Sequence, residues 1–239
     1  MNDNTSLMGE KRIIVAIDGP AGAGKSTIAR SVAQKLGFVY VDTGAMYRAI
    51  ALWARRTSVD WSDMHRLEQL ALSAQLELPG PGRILLNGED VSEAIREPEI
   101  SEGASKVAAV AGVRRALVEK QRALSSEHSI VMEGRDIGTV VFPEAGVKVY
   151  LDASAEVRAG RRAEELKARG VEFAEADLIR EIEERDRRDR ARPHSPLLQA
   201  PDAVYIDSSF AAPEQVEAEI LKLVRSRTSN GKEIHRATC

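Results

Sequence analysis

The chain has 239 residues, enough for one globular domain carrying an inserted lobe. A hydrophobic content of 43% suits a packed core, and a net charge of −3 excludes a protein-wide electrostatic footprint for nucleic acid. The only cysteine is Cys239, and the four histidines (His65, His128, His194, His235) lack metal-ligand spacing, so neither a disulfide framework nor a thiolate or histidine metal site is expected.

No apolar run approaches the roughly 20 residues that span a bilayer. The opening MNDNTSLMGEKR is polar and has no signal core, so residues 1–11 read as a flexible N-terminus of a cytoplasmic protein. RIIVAID (12–18) is the first predicted strand, apolar from Ile13 to Ile17 and closed by Asp18. It runs into GPAGAGKST (19–27), in which Gly19, Gly24, Lys25 and Ser26 fit G-x-x-x-x-G-K-[ST]. The loop lies where phosphate binding needs it, between a strand and a helix (25–37). Backbone N–H groups of Pro20–Thr27 and the helix N-terminus would face the phosphates, although proline itself offers no donor. The loop thus comprises Gly19, Pro20, Ala21, Gly22, Ala23, Gly24, Lys25, Ser26 and Thr27. Lys25 supplies a point charge for the β- and γ-phosphates, and the Ser26 hydroxyl is placed for Mg²⁺. A bound nucleoside triphosphate follows. Whether it feeds a kinase, a switch or a machine does not follow from the loop alone.

FVYVD (38–42) is the second predicted strand, and DTGAMYR (42–48) opens the next helix (45–56). Asp42 and Thr43 fall at the carboxyl edge of the sheet, where doubly wound folds bind ligands, but either residue would serve equally as a helix N-cap. Arg48 follows about one helical turn later. From 58 to 125 the strand–helix rhythm breaks. LELPGPGRILLNGEDV (76–91) has two Pro-Gly pairs and an Asn-Gly, a composition for short antiparallel strands, and two helical stretches follow it. This region reads as a small inserted lobe able to close over a second substrate.

SIVMEG (129–134) returns to the sheet and leads into EGRDIGTVVFPEAG (133–146). Adjacent Arg135 and Asp136 at a strand end are either a loop salt pair or an anion clamp with its neighbour. VKVYLD (147–152) and AVYID (203–207) complete five strands. Helices are predicted over 156–170 and 211–226, Gly37 and Gly170 being helix stops. Between them lies EERDRRDRARP (183–193), with five arginines against two aspartates over 185–192. On a helix Arg185, Asp189 and Arg192 share a face, whereas Arg187, Arg188 and Arg190 read as a solvated face. Arg158, Arg161 and Arg162 form a further face able to reach a triphosphate. Together, 158–192 reads as a helical lid that brings cations to phosphoryl groups and expels water. The stretch 227–239 reads as a disordered tail. The core is therefore expected over 12–57 and 126–226, as a doubly wound α/β fold with helices on both faces of a five-stranded parallel sheet.

IDGPAGAGKST, DTGAMYRA, EGRDIGTVVFP, KVYLDAS and RDRRDRAR occur in an order and spacing that resemble the bacterial-type cytidylate (CMP) kinases, a family of nucleoside monophosphate (NMP) kinases. The likeness runs from about residue 12 to 225. It implies a P-loop fold whose inserted lobe binds the monophosphate, and ATP-dependent phosphorylation of CMP and dCMP in pyrimidine metabolism, with Mg²⁺. By position, it gives Arg48, Arg135 and Arg192 the CMP phosphate. Ser105, Arg114 and Asp136 would read the cytosine edge, and Asp189 the ribose with Arg185 beside it; Asp42 and Thr43 join this acceptor site. A cytosine amine wants an acceptor such as Asp136 or Ser105, and its O2 and N3 want a donor such as Arg114. Arg161 and Arg162 belong on the ATP side, and Lys25, Arg135, Arg162 and Arg192 form the catalytic set. Thr43 stands where some members have serine. Glu133 stands where others have aspartate, which points to Mg²⁺ contact through water. Partners are expected to be ATP and CMP or dCMP, with no nucleic acid and no membrane, for a monomer. Competing readings are a kinase for another small acceptor (UMP, AMP, shikimate), a regulatory switch NTPase, and a nucleic-acid-dependent ATPase. The last two fit poorly with an arginine lid and with 4% aromatic residues.

Overall fold

Near-continuous apolar runs ending in acids build the sheet. A computed structural model describes residues 12–228. The predicted N-terminal segment 1–11 and the tail beyond 228, with His235 and Cys239, lie outside the described residues. Five strands form one parallel sheet: β1 (Ile14–Asp18), β2 (Val39–Asp42), β6 (Ile130–Gly134), β7 (Val147–Asp152) and β8 (Val204–Asp207), in the order β2-β6-β1-β7-β8. Every one of these strands was expected within two residues. β1 is central, and its neighbours bury it on both sides, which is why it tolerates no polar residue before Asp18. Register puts Asp42 beside Glu133 and Asp18 beside Gly134, so the acids gather at one sheet edge.

Helices cover both faces. α1 (Lys25–Leu36) and α8 (Pro213–Thr228) pack Ile28, Val32, Ile220 and Val224 against Val15, Ile17 and Val149. On the other face Val118 of α5 (Ala111–Leu124) meets Ala16, Val41 and Met132. α8 continues to Thr228, two residues into the stretch read as tail. Gly37, at φ 67, ends α1, where the left-handed conformation lets its N–H reach back to Ala33 and Gln34 carbonyls.

Residues 58–125 hold α3 (Met64–Ser73), a three-stranded antiparallel sheet of β3 (Leu76–Gly80), β4 (Arg83–Leu86) and β5 (Glu89–Asp90), a 3₁₀ turn (Ala94–Arg96), α4 (Pro98–Val107) and α5. Asn87 and Gly88, both at positive φ, form the two-residue turn between β4 and β5, which is the reason for Asn-Gly there. α2 (Thr43–Arg56) packs its apolar face into the same cluster as α3, α4 and α5. α6 (Ala155–Ala168) and α7 (Glu175–Arg190) form a hairpin with its own small core of Ala159, Ala163, Leu166, Leu178 and Ile182.

Candidate active site

The glycine loop is held by contacts that only glycine permits. A Cβ on Gly19 would lie 1.9 Å from the Leu151 carbonyl oxygen of β7. Gly24, at φ 88, caps α1 without a side-chain bond, so the first turn presents free N–H groups beside Lys25. Lys25 Nζ donates to the Pro20 carbonyl at 2.6 Å across the loop. It is buried, and burial, reinforced by repulsion from Arg135, holds its ammonium pKa well below the lysine range. A cation placed where its charge is disfavoured gains most from an arriving anion.

Behind the loop, Ser208 accepts from Arg161 at 3.2 Å and approaches the Ala23 carbonyl at 3.0 Å. Arg161 also donates to the Gly22 carbonyl at 3.3 Å and the Ser208 carbonyl at 2.6 Å. Its guanidinium therefore braces the loop against the end of β8. Arg158, grouped with Arg161 and Arg162 by spacing, is buried with its guanidinium already committed within the protein. Arg162 pairs with Glu165 at 3.0 Å on the cleft wall.

At the sheet edge, Ser26 donates to Glu133 at 3.0 Å, and Tyr40 donates to the other oxygen of the same carboxylate. Burial and the adjacent Asp42 push Glu133 above the usual carboxylate range. Thr43 donates to the Glu133 carbonyl at 2.7 Å. Asp42 is the N-cap of α2, one oxygen accepting from Ala45 N, and its other oxygen pairs with Arg48 at 2.9 Å.

Arg135 and Asp136 do not pair with each other. Arg135 donates to Asp189 at 3.0 Å, and Arg192 donates to the other Asp189 oxygen. Asp189 has a side chain 1% exposed, with Arg185 adding its field. Three guanidinium groups thus surround one carboxylate, and their surplus positive charge faces the cleft. Burial, with repulsion from Arg135, disfavours another cation at Arg185, pushing its pKa down. Arg192 reaches this cluster from beyond the helix, because α7 ends at Arg190; the one-face spacing expected for it is not what delivers it. Arg188, expected on a solvated face, is exposed and also borders the cleft.

Asp136 turns inward to Arg114 of α5, whose guanidinium also donates to the Ala108 carbonyl at 3.2 Å and lies over the Tyr47 ring at 5.4 Å. Ser105 Oγ and Arg114 Nε are buried without partners, and both residues border the cleft. Asp18, read from sequence only as a strand-ending acid, accepts from Ile137 N at 2.8 Å and Gly138 N at 2.7 Å. It thereby fixes the π-helical turn Ile137–Val141 that follows Asp136, and burial raises its carboxyl to about 6. The run of acids at strand ends was the available signal for this brace.

The glycine loop, Arg48, Ser105, Arg114, the Arg135–Asp136 loop and α7 all border one cleft of about 650 Å³. Among the described residues no cluster of three His, Cys, Asp or Glu could hold a metal on its own, and no helix is long and apolar enough to cross a membrane. One cleft thus brings together a phosphate loop, an arginine cluster and buried polar atoms without partners, groups suited to binding phosphorylated ligands.

A family model described as cytidylate kinase matches residues 15–226. A cytidylate kinase from Solibacter usitatus is 58% identical over 226 residues, covering 94% of this chain and 97% of that protein. One from Pelotomaculum thermopropionicum is 50% identical over 222 residues, covering 91% and 96%, and one from Caldanaerobacter subterraneus is 46% identical over 214 residues, covering 90% and 95%. With the match spanning the sheet, the inserted region and both arginine helices, the chain belongs to the cytidylate kinase family.

Proposed function

We propose that this chain transfers the γ-phosphoryl group of ATP to the phosphate of CMP or dCMP, giving CDP or dCDP and ADP. The observation that carries this reading is the Arg135–Asp189–Arg192 cluster in the same cleft as Lys25, an anion site distinct from the glycine loop. In this reading Pro20–Thr27 and Lys25 hold the ATP phosphates, Arg161 holds their loop in place, and Arg162 adds charge from the cleft wall. Arg48, Arg135 and Arg192 take the CMP phosphate, with Arg185 beside them, and Asp189 reaches the ribose. Ser105, Arg114 and Asp136 take the cytosine edge.

The acceptor is already an anionic oxygen at neutral pH, so no side chain need remove a proton. That oxygen forms the new bond to the γ-phosphorus, while the bond to the bridging oxygen breaks and its electron pair leaves on ADP. The residues act by alignment and charge neutralisation. The Ser26 hydroxyl and buried Glu133 carboxylate form an oxygen donor set suited to Mg²⁺, with Glu133 acting through water. Mg²⁺, when bound, neutralises charge on the ATP phosphates. The reading takes the chain as a monomer in the cytoplasm acting on small-molecule substrates.

The test is ADP release from ATP·Mg²⁺ across CMP, dCMP, UMP, AMP and shikimate. Stimulation by CMP and dCMP well above the others is the expected result, and absence of stimulation by any nucleotide would reject the reading. The depressed Lys25 pKa adds a second expectation. Below that pKa the free enzyme already carries the ammonium charge; above it Nζ is neutral, and ATP draws a proton onto it. Calorimetry at pH 8 in buffers of different ionisation enthalpy should show uptake approaching about one proton per ATP, declining as pH falls. No uptake at any pH would mean that Lys25 stays charged in the free enzyme.

A further inference from the structure

Arg158 and Asp186 lie outside the roles assigned above, yet they form the most buried ion pair between α6 and α7, each side chain 5% exposed. Arg158 donates from Nη2 to Asp186 at 2.7 Å, from Nε to the Ala153 carbonyl at 2.8 Å, and from Nη1 to the Ala21 carbonyl of the glycine loop at 3.2 Å. An arginine serving only its carboxylate would give it two parallel hydrogen bonds. Here one donor goes to the glycine loop instead, and Asp186 Oδ1 is left buried without a partner. The loop is also packed directly on this side chain: a Cβ on Gly22 would lie 3.1 Å from Arg158 Cβ. Asp186 lies one helical turn before Asp189 on α7, on the same side of the helix, and Asp189 is the carboxylate that holds Arg135 and Arg192.

We propose that the Arg158–Asp186 pair is a positioning strut that couples the two substrate sites, transmitting the position of α7 to the glycine loop. This rests on the proposed assignment of ATP to the loop and CMP to the arginine cluster. A CMP phosphate drawing on Arg135, Arg185 and Arg192 sets α7, and Asp186 carries that setting through Arg158 to the Ala21 carbonyl. Binding of either substrate then favours the other, and by linkage the factor is the same in both directions.

The experiment measures the affinity of a non-hydrolysable ATP analogue with Mg²⁺, with and without saturating CMP. In the wild type CMP should tighten analogue binding by about fivefold or more. Two variants separate positioning from mere stability. Arg158→Met with Asp186→Leu replaces a buried ion pair by apolar side chains and should retain a thermal midpoint near wild type, whereas Asp186→Leu alone strands a buried guanidinium and should melt far lower. Arg158→Lys keeps a charge for Asp186 but cannot also reach the Ala21 carbonyl. In both the double variant and Arg158→Lys the effect of CMP should fall below about twofold on that scale. Coupling that stays at the wild-type level in either variant would make the pair structural only and overturn the proposal. A wild type that binds CMP without coupling overturns it too, leaving the functional reading intact; a wild type that does not bind CMP overturns both.

Discussion

Lys25→Met should lower kcat by about a thousandfold, in line with removal of one preorganised charge from a dry site. The substitution nearly keeps the shape of the side chain, since methionine is unbranched and fills irregular gaps. Its main structural cost is the Pro20 carbonyl left without the 2.6 Å bond from Nζ, about 1 kcal/mol. Against that stands the gain from removing a buried ammonium whose charge burial already disfavours. The thermal midpoint should therefore move little while turnover collapses. KM for CMP should change much less than kcat, because Lys25 faces the donor phosphates and the acceptor phosphate has its own arginines. Steady-state assays of ADP release, read beside a melting curve, check both halves. A variant within tenfold of wild-type turnover would mean that charge neutralisation lies elsewhere and that the glycine loop has been given the wrong task.

Backbone elements were legible because their signals are local. Each sheet strand is an apolar run closed by an acid or glycine, and Asn-Gly at 87–88 announced its own turn. α3 was missed because it lies in a stretch judged by its turn residues. Asp63, whose side chain accepts from Arg66 N, followed by buried Leu67 and Ala71 four apart, was the signal passed over. The site was legible by residue type and not by pairing. Arg48, Arg135 and Arg192 are in the cleft as expected, but which carboxylate each meets is decided by packing between elements distant in sequence. Arg135 passes over its neighbour Asp136 for Asp189, 54 residues away. Asp136 in turn meets Arg114 on the other side of the sheet edge. No periodicity marks Tyr40 as a donor to Glu133, because a single alternating strand cannot show what lies beside it. Helical spacing put Arg158 toward the cleft, which it borders, but could not show that its guanidinium is spent on Asp186 and two backbone carbonyls.

That division matters most at Asp136, where substrate choice and stability share one carboxylate. Asp136→Ala should raise KM for CMP by about a hundredfold, since losing one bidentate base contact costs about 1–3 kcal/mol and the freed Arg114 loses its alignment as well. KM for ATP should stay within about threefold, because the glycine loop keeps all its contacts and Asp18 still clamps Ile137 and Gly138. The alanine variant also leaves Arg114 buried without its counter-ion, a loss of about 3–5 kcal/mol that lowers the folded fraction, and with it the apparent kcat, without touching affinity. Asp136→Asn separates these effects. It keeps the shape and one acceptor for Arg114, so its melting curve should lie nearer wild type. Its amide can still accept from a cytosine amine but can equally donate to a uracil carbonyl. The asparagine variant should therefore show a smaller rise in KM for CMP together with a gain in relative kcat/KM for UMP, measured over both nucleotides at fixed ATP. Equal losses for CMP and ATP in both variants would show that Asp136 serves the fold alone, and base reading would then have to rest on Ser105 and the lobe.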